Sequence, residues 1–287
     1  MARRFLRFPN FKDKALTLSY DDGVAQDKRL IALMKEYGVK GTFNINGGLF
    51  GNEPTEDKGR MTKDEAFALY TESGNEVAIH GYNHLSLAEV DSTAGLNDII
   101  EDRKTLEKLF GKVIKGMAYA NGSYSDEVVE MLRLSGVQYA RTTVSTERFD
   151  IPTDWLRLPA TCHHAHPKLM ELAKAFAETE PPKSYWWKRA RLFYLWGHSY
   201  EFDGGTEYNN WARMEDFLKY IGKREDIWYA TNGEIYAYVQ AFDRLEFSAD
   251  GNFVRNPSTI DVYLDYYGRE VIAKAGETTE VGETRWR

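Results

Sequence analysis

Seven short strand-like runs, nearly all followed by an amphipathic helical run, constrain the fold of this chain more than any other feature. Lys14–Tyr20 is β-leaning and stops at Asp21-Asp22-Gly23, a turn signal. Gln26–Tyr37 then sets Leu30, Leu33, Met34 and Tyr37 at helical intervals and ends at Gly38, a C-cap residue. The alternation continues with strands expected at Gly41–Asn46, Asn75–His80, Val113–Tyr119, Val137–Thr142, Leu192–His198 and Ile227–Thr231. Helices are expected at Thr62–Glu72, Asp91–Phe110, Ser125–Leu134, Pro167–Glu178, Trp211–Ile221 and Gly233–Phe242. A parallel crossover needs a dozen or more residues, so repeated βα units imply a parallel sheet with helices outside. With this many units the expected α/β architecture is a closed barrel rather than an open sheet.

Beyond about residue 243 the helical period disappears. Leu245–Phe247, Phe253–Arg255, Ile260–Tyr266 and Glu270–Ala273 read as short strands joined by Asp-Gly and Tyr-Gly turns. The expected organisation is a barrel over residues 1–242 and a small β-rich C-terminal extension over residues 243–287; Glu283–Arg287, at its end, suggests no role.

Composition narrows the function classes. Lys and Arg number 37 against 44 Asp and Glu, a net charge of −7, which argues against a nucleic-acid partner with its usual basic footprint. A single Cys allows neither an internal disulfide nor a four-thiolate zinc site. No stretch approaches the roughly 18 apolar residues of a membrane span. The charged start has no apolar run behind it, which predicts a cytoplasmic protein with no membrane partner. The oligomeric state is left open.

The unusual polar residues fall at strand ends: Asp21-Asp22 after the first strand, His80 after the third, Tyr119 the fourth, Arg141 the fifth and His198 the sixth. In parallel α/β folds that end carries the active site. Two adjacent carboxylates ending a buried strand are costly unless a cation or a shared proton relieves them. His80 and His84, four residues apart, can face one cation, although alone they are equally well read as ordinary hydrogen-bonded histidines. Two imidazoles and one carboxylate form a ligand set for Zn²⁺ or another divalent transition metal, and the second Asp is then free to act as a base on an activated water.

Leu18-Ser-Tyr-Asp-Asp-Gly23 resembles the T-F-D-D-G motif of the polysaccharide deacetylases, the NodB-homology or carbohydrate esterase family 4 group. His80–His84 matches the family's H-x-x-x-H motif and Leu195-Trp-Gly-His198 its late L-x-x-H motif, in the same order, across residues 14–240. The resemblance implies a distorted (β/α)7 barrel and hydrolysis of an N- or O-acetyl group on a small acetylated oligosaccharide. It also implies a metal on Asp22, His80 and His84, zinc first, with cobalt, nickel or iron as alternatives. Asp21 becomes the general base and His198 the general acid, while Leu195 walls the acetyl pocket and the backbone N–H of Asn121 serves the oxyanion.

Two departures stand out. The family's R-x-P-Y segment falls at Ala118-Tyr-Ala-Asn121, without its Arg, which normally pairs with the base; Arg141 on the next strand is the expected substitute. Gly81 replaces the Ser or Thr often found after the first histidine.

Other residues carry weaker expectations. His163, His164 and His166 invite a second metal site, but the favoured reading has them line the sugar groove or cap the helix near Pro167. Cys162 has no base beside it in a nucleophile motif. Asp150, Asp154 and Asp203 are candidates to orient His198. Tyr185, Trp186, Trp187, Trp211 and above all Tyr124, Trp155 and Tyr200 are candidates to stack on sugar faces. Alternatives with the same motifs are a deformylase or other C–N amide hydrolase, and a non-catalytic sugar-binding protein on a decayed scaffold.

Overall fold

The computed structural model describes residues 4–55, 58–178 and 189–282. Its central sheet is parallel throughout. Strands β2 (Lys14–Asp21), β3 (Gly41–Ile45), β4 (Glu76–Ile79), β5 (Gly116–Ala118) and β6 (Tyr139–Ser145) follow one another across it, each hydrogen-bonded to the next. On its other edge β2 pairs along Lys14–Tyr20 with β9 (Arg191–Gly197). The short strand β10 (Ile227–Tyr229) lies beside Lys14–Leu16, below the level at which β3 takes over as neighbour.

One strand absent from the sequence reading closes the circle. Residues 158–163 form β7 (Leu158–Ala160) and β8 (Cys162–His163); the first pairs with β6 and the second with β9. Thr161 between them donates its N–H to the Tyr194 carbonyl at 2.8 Å. A proline in the middle and pieces of two and three residues hide this strand from a periodicity argument. The result is the barrel-like arrangement expected.

Helices α1 (Asp27–Glu36), α2 (Lys63–Ser73), α3 (Ser92–Phe110), α4 (Asp126–Leu134), α5 (Leu169–Glu178), α6 (Trp211–Ile221) and α7 (Asn232–Asp243) match the expected segments to within two residues. Local chemistry fixes their starts. Thr62 and Thr231 form capping boxes with Glu65 and Glu234, and Asp91, Ser125 and Asn210 accept from first-turn N–H groups.

Strand alternation sorts the side chains. Leu16, Leu18 and Tyr20 of β2 face outward into the core shared with the helices. Thr17, Ser19 and Asp21 alternate with them and face the barrel interior, which is polar. Thr17 donates to Asn232 Oδ1 at 2.8 Å, and Asn232 Nδ2 donates to Tyr194 Oη at 2.7 Å. At the floor, the N-terminus of α7 meets Glu76, whose carboxylate accepts from Gly233 N, Thr42 Oγ1 and Tyr139 Oη. Burial pushes the Glu76 carboxyl up, and these donors oppose the shift.

The two chain ends meet. β1 (Arg4–Arg7) pairs antiparallel with β13 (Val262–Tyr266), which pairs with β14 (Arg269–Ala273). β11 (Glu246–Phe247), β12 (Phe253–Arg255) and β15 (Thr278–Glu280) make a second small antiparallel sheet. The strands that follow α7 are thus antiparallel, and β13 takes β1 from the N-terminal segment as a partner. Tyr238 of α7 ties it further, donating to the Arg7 carbonyl and accepting from Tyr263 N. No described helix is long and apolar enough to cross a membrane.

Gly116 is tightly enclosed: a Cβ there would lie 2.0 Å from Tyr139 Oη. Gly116→Ala is expected to push Tyr139 off Glu76 and cost about 1–3 kcal/mol, the usual penalty of overpacking. Denaturant unfolding checks this, and an unchanged midpoint would show that Tyr139 has room to move.

Candidate active site

Asp21 is the last residue of β2 and points into the barrel mouth, almost fully buried. Its Oδ2 accepts from Arg141 Nη2, and its Oδ1 accepts from Asn44 Nδ2 at 2.8 Å. Burial alone would raise this carboxyl, but Arg141, His80 and His198 together hold it below its ordinary value. Arg141 lies in register with Ala118 of the neighbouring strand and stacks over Trp196, 4.5 Å from the ring centre. The cation therefore comes from one strand further along than the family pattern places it.

The chain then turns sharply. Asp22 has φ +84°, a left-handed conformation rare outside glycine, and such strain concentrates at functional sites. Its carboxylate faces His84, which sits in a second left-handed turn at φ +57°; Oδ1 and Nε2 are 3.7 Å apart. His80 is buried and its Nδ1 lies 2.8 Å from the Ala118 carbonyl. That contact puts the proton on Nδ1 and leaves the Nε2 lone pair for the site. Asp102 anchors the His80 backbone by accepting from its N–H at 2.9 Å; burial pushes the Asp102 carboxyl up to about 8. Gly81, at φ +83°, has a local reason to replace Ser or Thr, because a Cβ there would meet Asp98 Oδ2 at 2.7 Å.

Asp22, His80 and His84 each offer a ligand atom within 4.8 Å of the others. With His80 locked by Ala118, this two-imidazole, one-carboxylate set fits a divalent transition metal. Sequence spacing did not reveal Arg60. It comes from the loop before α2 and donates to the Asp22 carbonyl, to Asp22 Oδ1 at 3.0 Å and to Asn46 Oδ1 at 2.7 Å.

His198 follows β9 on the far side of Asp21. Its Nε2 is 3.8 Å from Asp21 Oδ2, the same distance as His80 Nε2. Its Nδ1 faces Glu201 at 3.3 Å. Burial opposes the imidazolium, yet Glu201, Asp21 and Asp22 hold the His198 pKa above its ordinary value. The carboxylate that His198 Nδ1 faces is thus Glu201, three residues on in a one-turn helix (Ser199–Gly204), rather than the expected aspartates. Asp150 pairs with Arg148, Asp154 with Arg157, and Asp203 accepts from Gln26 and Trp211. Beneath the helix, Ser199 Oγ and Tyr70 Oη donate to Asp27, whose carboxyl burial pushes up to about 7.

Several expected site residues lie elsewhere. Leu195 does not line the mouth: it faces the helices, packed into the core with Phe193 and Phe217. Trp196 shares the face of His198, its ring centre 5.9 Å from the imidazole. Trp155 packs edge-on against Tyr236 of α7, its carbonyl bonded to Ala140 N near the start of β6, so it does not line the mouth. His164 is buried between Tyr20 and Phe202 beneath the mouth, its Nε2 2.8 Å from Glu201 Oε2, and burial pushes it down to about 4. His166 stands at the start of α5, accepting from Lys168 N, with Glu147 3.4 Å away. Cys162 is buried and its thiol is pushed up to about 12.

The remaining expectations fall near the strand ends. Tyr200 is 43% exposed with its ring 5.2 Å from His198. His163 packs on Trp196, and its Nε2 is 3.2 Å from Glu201. Asn121 holds φ +56° in the turn after β5 and donates to Ser86 Oγ, while Tyr124 stacks on Tyr119. Tyr185, Trp186 and Trp187 lie outside the described residues.

Removing the Glu201 charge is expected to release His198. In Glu201→Gln its pKa should fall, because one of the charges that raises it is gone, followed by NMR titration of the ring. An unchanged titration would mean that Asp21 and Asp22 alone sustain the imidazolium.

Comparison with known proteins bears on the fold. The family model described as polysaccharide deacetylase matches residues 9–140. A solved structure described as a polysaccharide deacetylase from Mycobacterium smegmatis superposes with TM-score 0.60 at 17% identity, covering 83% of this chain and 94% of that one. A mutant with restored activity of BA3943, a CE4 family pseudoenzyme from Bacillus anthracis, gives TM-score 0.51 at 16% identity over 81% and 70% of the two chains. Puue allantoinase gives 0.55 at 12% identity over 80% and 91%. A curated protein from Mycoplasma pneumoniae described as MgpC-like is 39% identical over 86 residues, and this chain spans 16% of its length. The match to the polysaccharide deacetylase model spans residues 9–140, and the strands that follow complete a fold of the same architecture as the Mycobacterium smegmatis structure.

Proposed function

We propose that the protein is a metal-dependent hydrolase that removes N- or O-linked acetyl groups from a carbohydrate. The observation that carries the reading is the position of Asp21: its Oδ2 lies 3.8 Å from His80 on the metal-ligand side and 3.8 Å from His198 on the other. A proton acceptor and a proton donor thus flank one small space beside the Asp22–His80–His84 set.

A divalent cation held by Asp22, His80 and His84 supplies Lewis-acid polarisation of the acetyl carbonyl and acidifies a water. The other steps belong to side chains of this chain. Asp21, kept ionised by Arg141, takes a proton from the attacking water as its oxygen bonds to the carbonyl carbon. We assign the backbone N–H of Asn121 to the oxyanion that forms. His198, protonated under the charge of Glu201, gives its proton to the departing sugar nitrogen or oxygen as the C–N or C–O bond breaks. Acetate and a free amine or hydroxyl result. Trp196 walls the space for the acetyl methyl, and Tyr200 offers an exposed ring to a sugar face.

A second reading, hydrolysis of a non-sugar amide, draws on the fold likeness to an allantoinase. Assays separate the two: acetate from acetylated xylan, chitin or peptidoglycan fragments supports the first, whereas ammonia or formate from an amide supports the second. Protein that neither binds metal nor turns over would point instead to a sugar-binding protein on this scaffold.

Asp22→Ala, His80→Ala and His84→Ala should each lose metal and acetate release together, measured by elemental analysis and an acetate assay. Asp21→Asn should retain metal but lower kcat by roughly 10²–10⁴-fold, the contribution of a general base. Wild-type turnover in Asp21→Asn would end the division of labour proposed here.

The pH profile follows from the two shifts. Activity needs Asp21 ionised, so its lowered pKa sets the acid limb below the ordinary carboxylate range. It also needs His198 protonated, so its raised pKa sets the alkaline limb above the ordinary imidazole value. Arg141→Ala removes a cation that lowers Asp21 and should move the acid limb to higher pH. A profile identical to wild type would show that Arg141 does not govern the base.

A further inference from the structure

Glu201 gathers more than its partner His198; His164 Nε2, which Asn209 Oδ1 also engages at 2.7 Å, stands 2.8 Å from its Oε2. His163 Nε2 lies 3.2 Å from Glu201 Oε2, and His198 Nδ1 lies 3.3 Å from Glu201 Oε1. Each of the three residues offers one ligand atom within 4.8 Å of the other two. Ligands about 2.0–2.2 Å from a tetrahedral zinc stand about 3.3–3.6 Å from one another, close to the two histidine–carboxylate distances here.

A second observation points the same way. His198 Nδ1 and Glu201 Oε2 are buried atoms that find no hydrogen-bond partner of acceptable geometry among the described residues. The two groups approach closely, but they are not aligned as an N–H···O bond requires. Buried polar atoms without partners are rare and ask for an explanation such as an ion. Side-chain exposures of 21–25% leave an open side to the cluster, through which an ion enters and keeps water ligands.

We propose that His163, His198 and Glu201 form a second divalent-cation site, distinct from Asp22, His80 and His84, and that filling it disables His198. The two clusters share no ligand. They are separated by Asp21, which faces His80 and His198 at equal distance. Three protein donors of imidazole and carboxylate type suit zinc or cobalt better than magnesium or calcium. The consequence for activity rests on the deacetylase reading. A cation on Nδ1 takes the place of that nitrogen's proton and leaves a ring whose remaining N–H is a far weaker acid than an imidazolium. Zinc beyond the first equivalent then inhibits, with the first site still filled.

The test counts ions before it measures rates. Metal-stripped full-length protein is titrated with zinc by calorimetry and, separately, with cobalt by visible absorption. Two binding events per chain are expected in wild type. His163→Ala should lose the weaker event alone, as should Glu201→Gln, a near-isosteric change; Asp22→Asn should lose the tighter one. Acetate release should rise with the first equivalent of zinc and fall with the second, and the fall should be absent from His163→Ala. A single event in wild type overturns the proposal, as does a second event that survives both His163→Ala and Glu201→Gln. Two events with the expected variant pattern but no acetate release would uphold the site and reject the deacetylase reading instead.

Discussion

The buried pair of Asp21 and Arg141 is the constraint around which the barrel mouth is arranged. The two residues sit on β2 and β6, which are not neighbours in the sheet, so their contact crosses the interior. Both are almost fully out of water, where a carboxylate or guanidinium left alone is very costly. Losing one partner of such a pair typically costs about 3–5 kcal/mol. The pair therefore demands a polar interior, and the sequence supplies one. Asn44 bonds to Asp21 and to Ser19, and Asn232 bonds to Tyr194 and Thr17 further down. A barrel filled with leucine would have no donors to offer that carboxylate.

The same pair puts a guanidinium beside Asp21 although Ala118 stands on the neighbouring strand. Ala118 and Arg141 are register partners on adjacent strands. Moving the guanidinium one strand along keeps it at the same height above the floor, and its stacking on Trp196 fixes the approach. A long, planar side chain reaches the carboxylate from either strand; lysine would bring neither the stacking nor the fork of donors.

Most of the fold was legible because its signals are local. Helix caps and 3.6-residue periods mark α1 to α7, and short apolar runs ending in charged or turn residues mark the strands. What escaped is what only pairing creates. Residues 158–163 become a strand because two edges need closing, and β1 is a strand because β13 lies open to it. The Leu195 error has a different origin. A motif match aligns letters, whereas alternation decides which face each letter takes. Two residues before His198, Trp196 shares its face, and Leu195 takes the opposite one. Glu201 was missed because its signal, an i+3 spacing, exists only once Ser199–Gly204 has wound into a turn. Arg60 reaches Asp22 through a loop with no period at all.

The candidate site finally depends on holding two groups of similar position in opposite protonation states. Asp21 and His198 share one small space, and each favours the charged form of the other. Left to themselves, a buried acid and a buried imidazole would both drift toward neutrality. Separate partners on their outer sides prevent this: Arg141 holds the carboxylate down, and Glu201 holds the imidazole up. Environments that push two titratable groups apart are how one site runs base and acid chemistry at a single pH. The strained turns at Asp22 and His84 belong to the same economy of space. They bring two further donors beside Asp21 without lengthening the strands, so that the Asp22–His80–His84 cluster and the Asp21–His198 pair occupy one mouth.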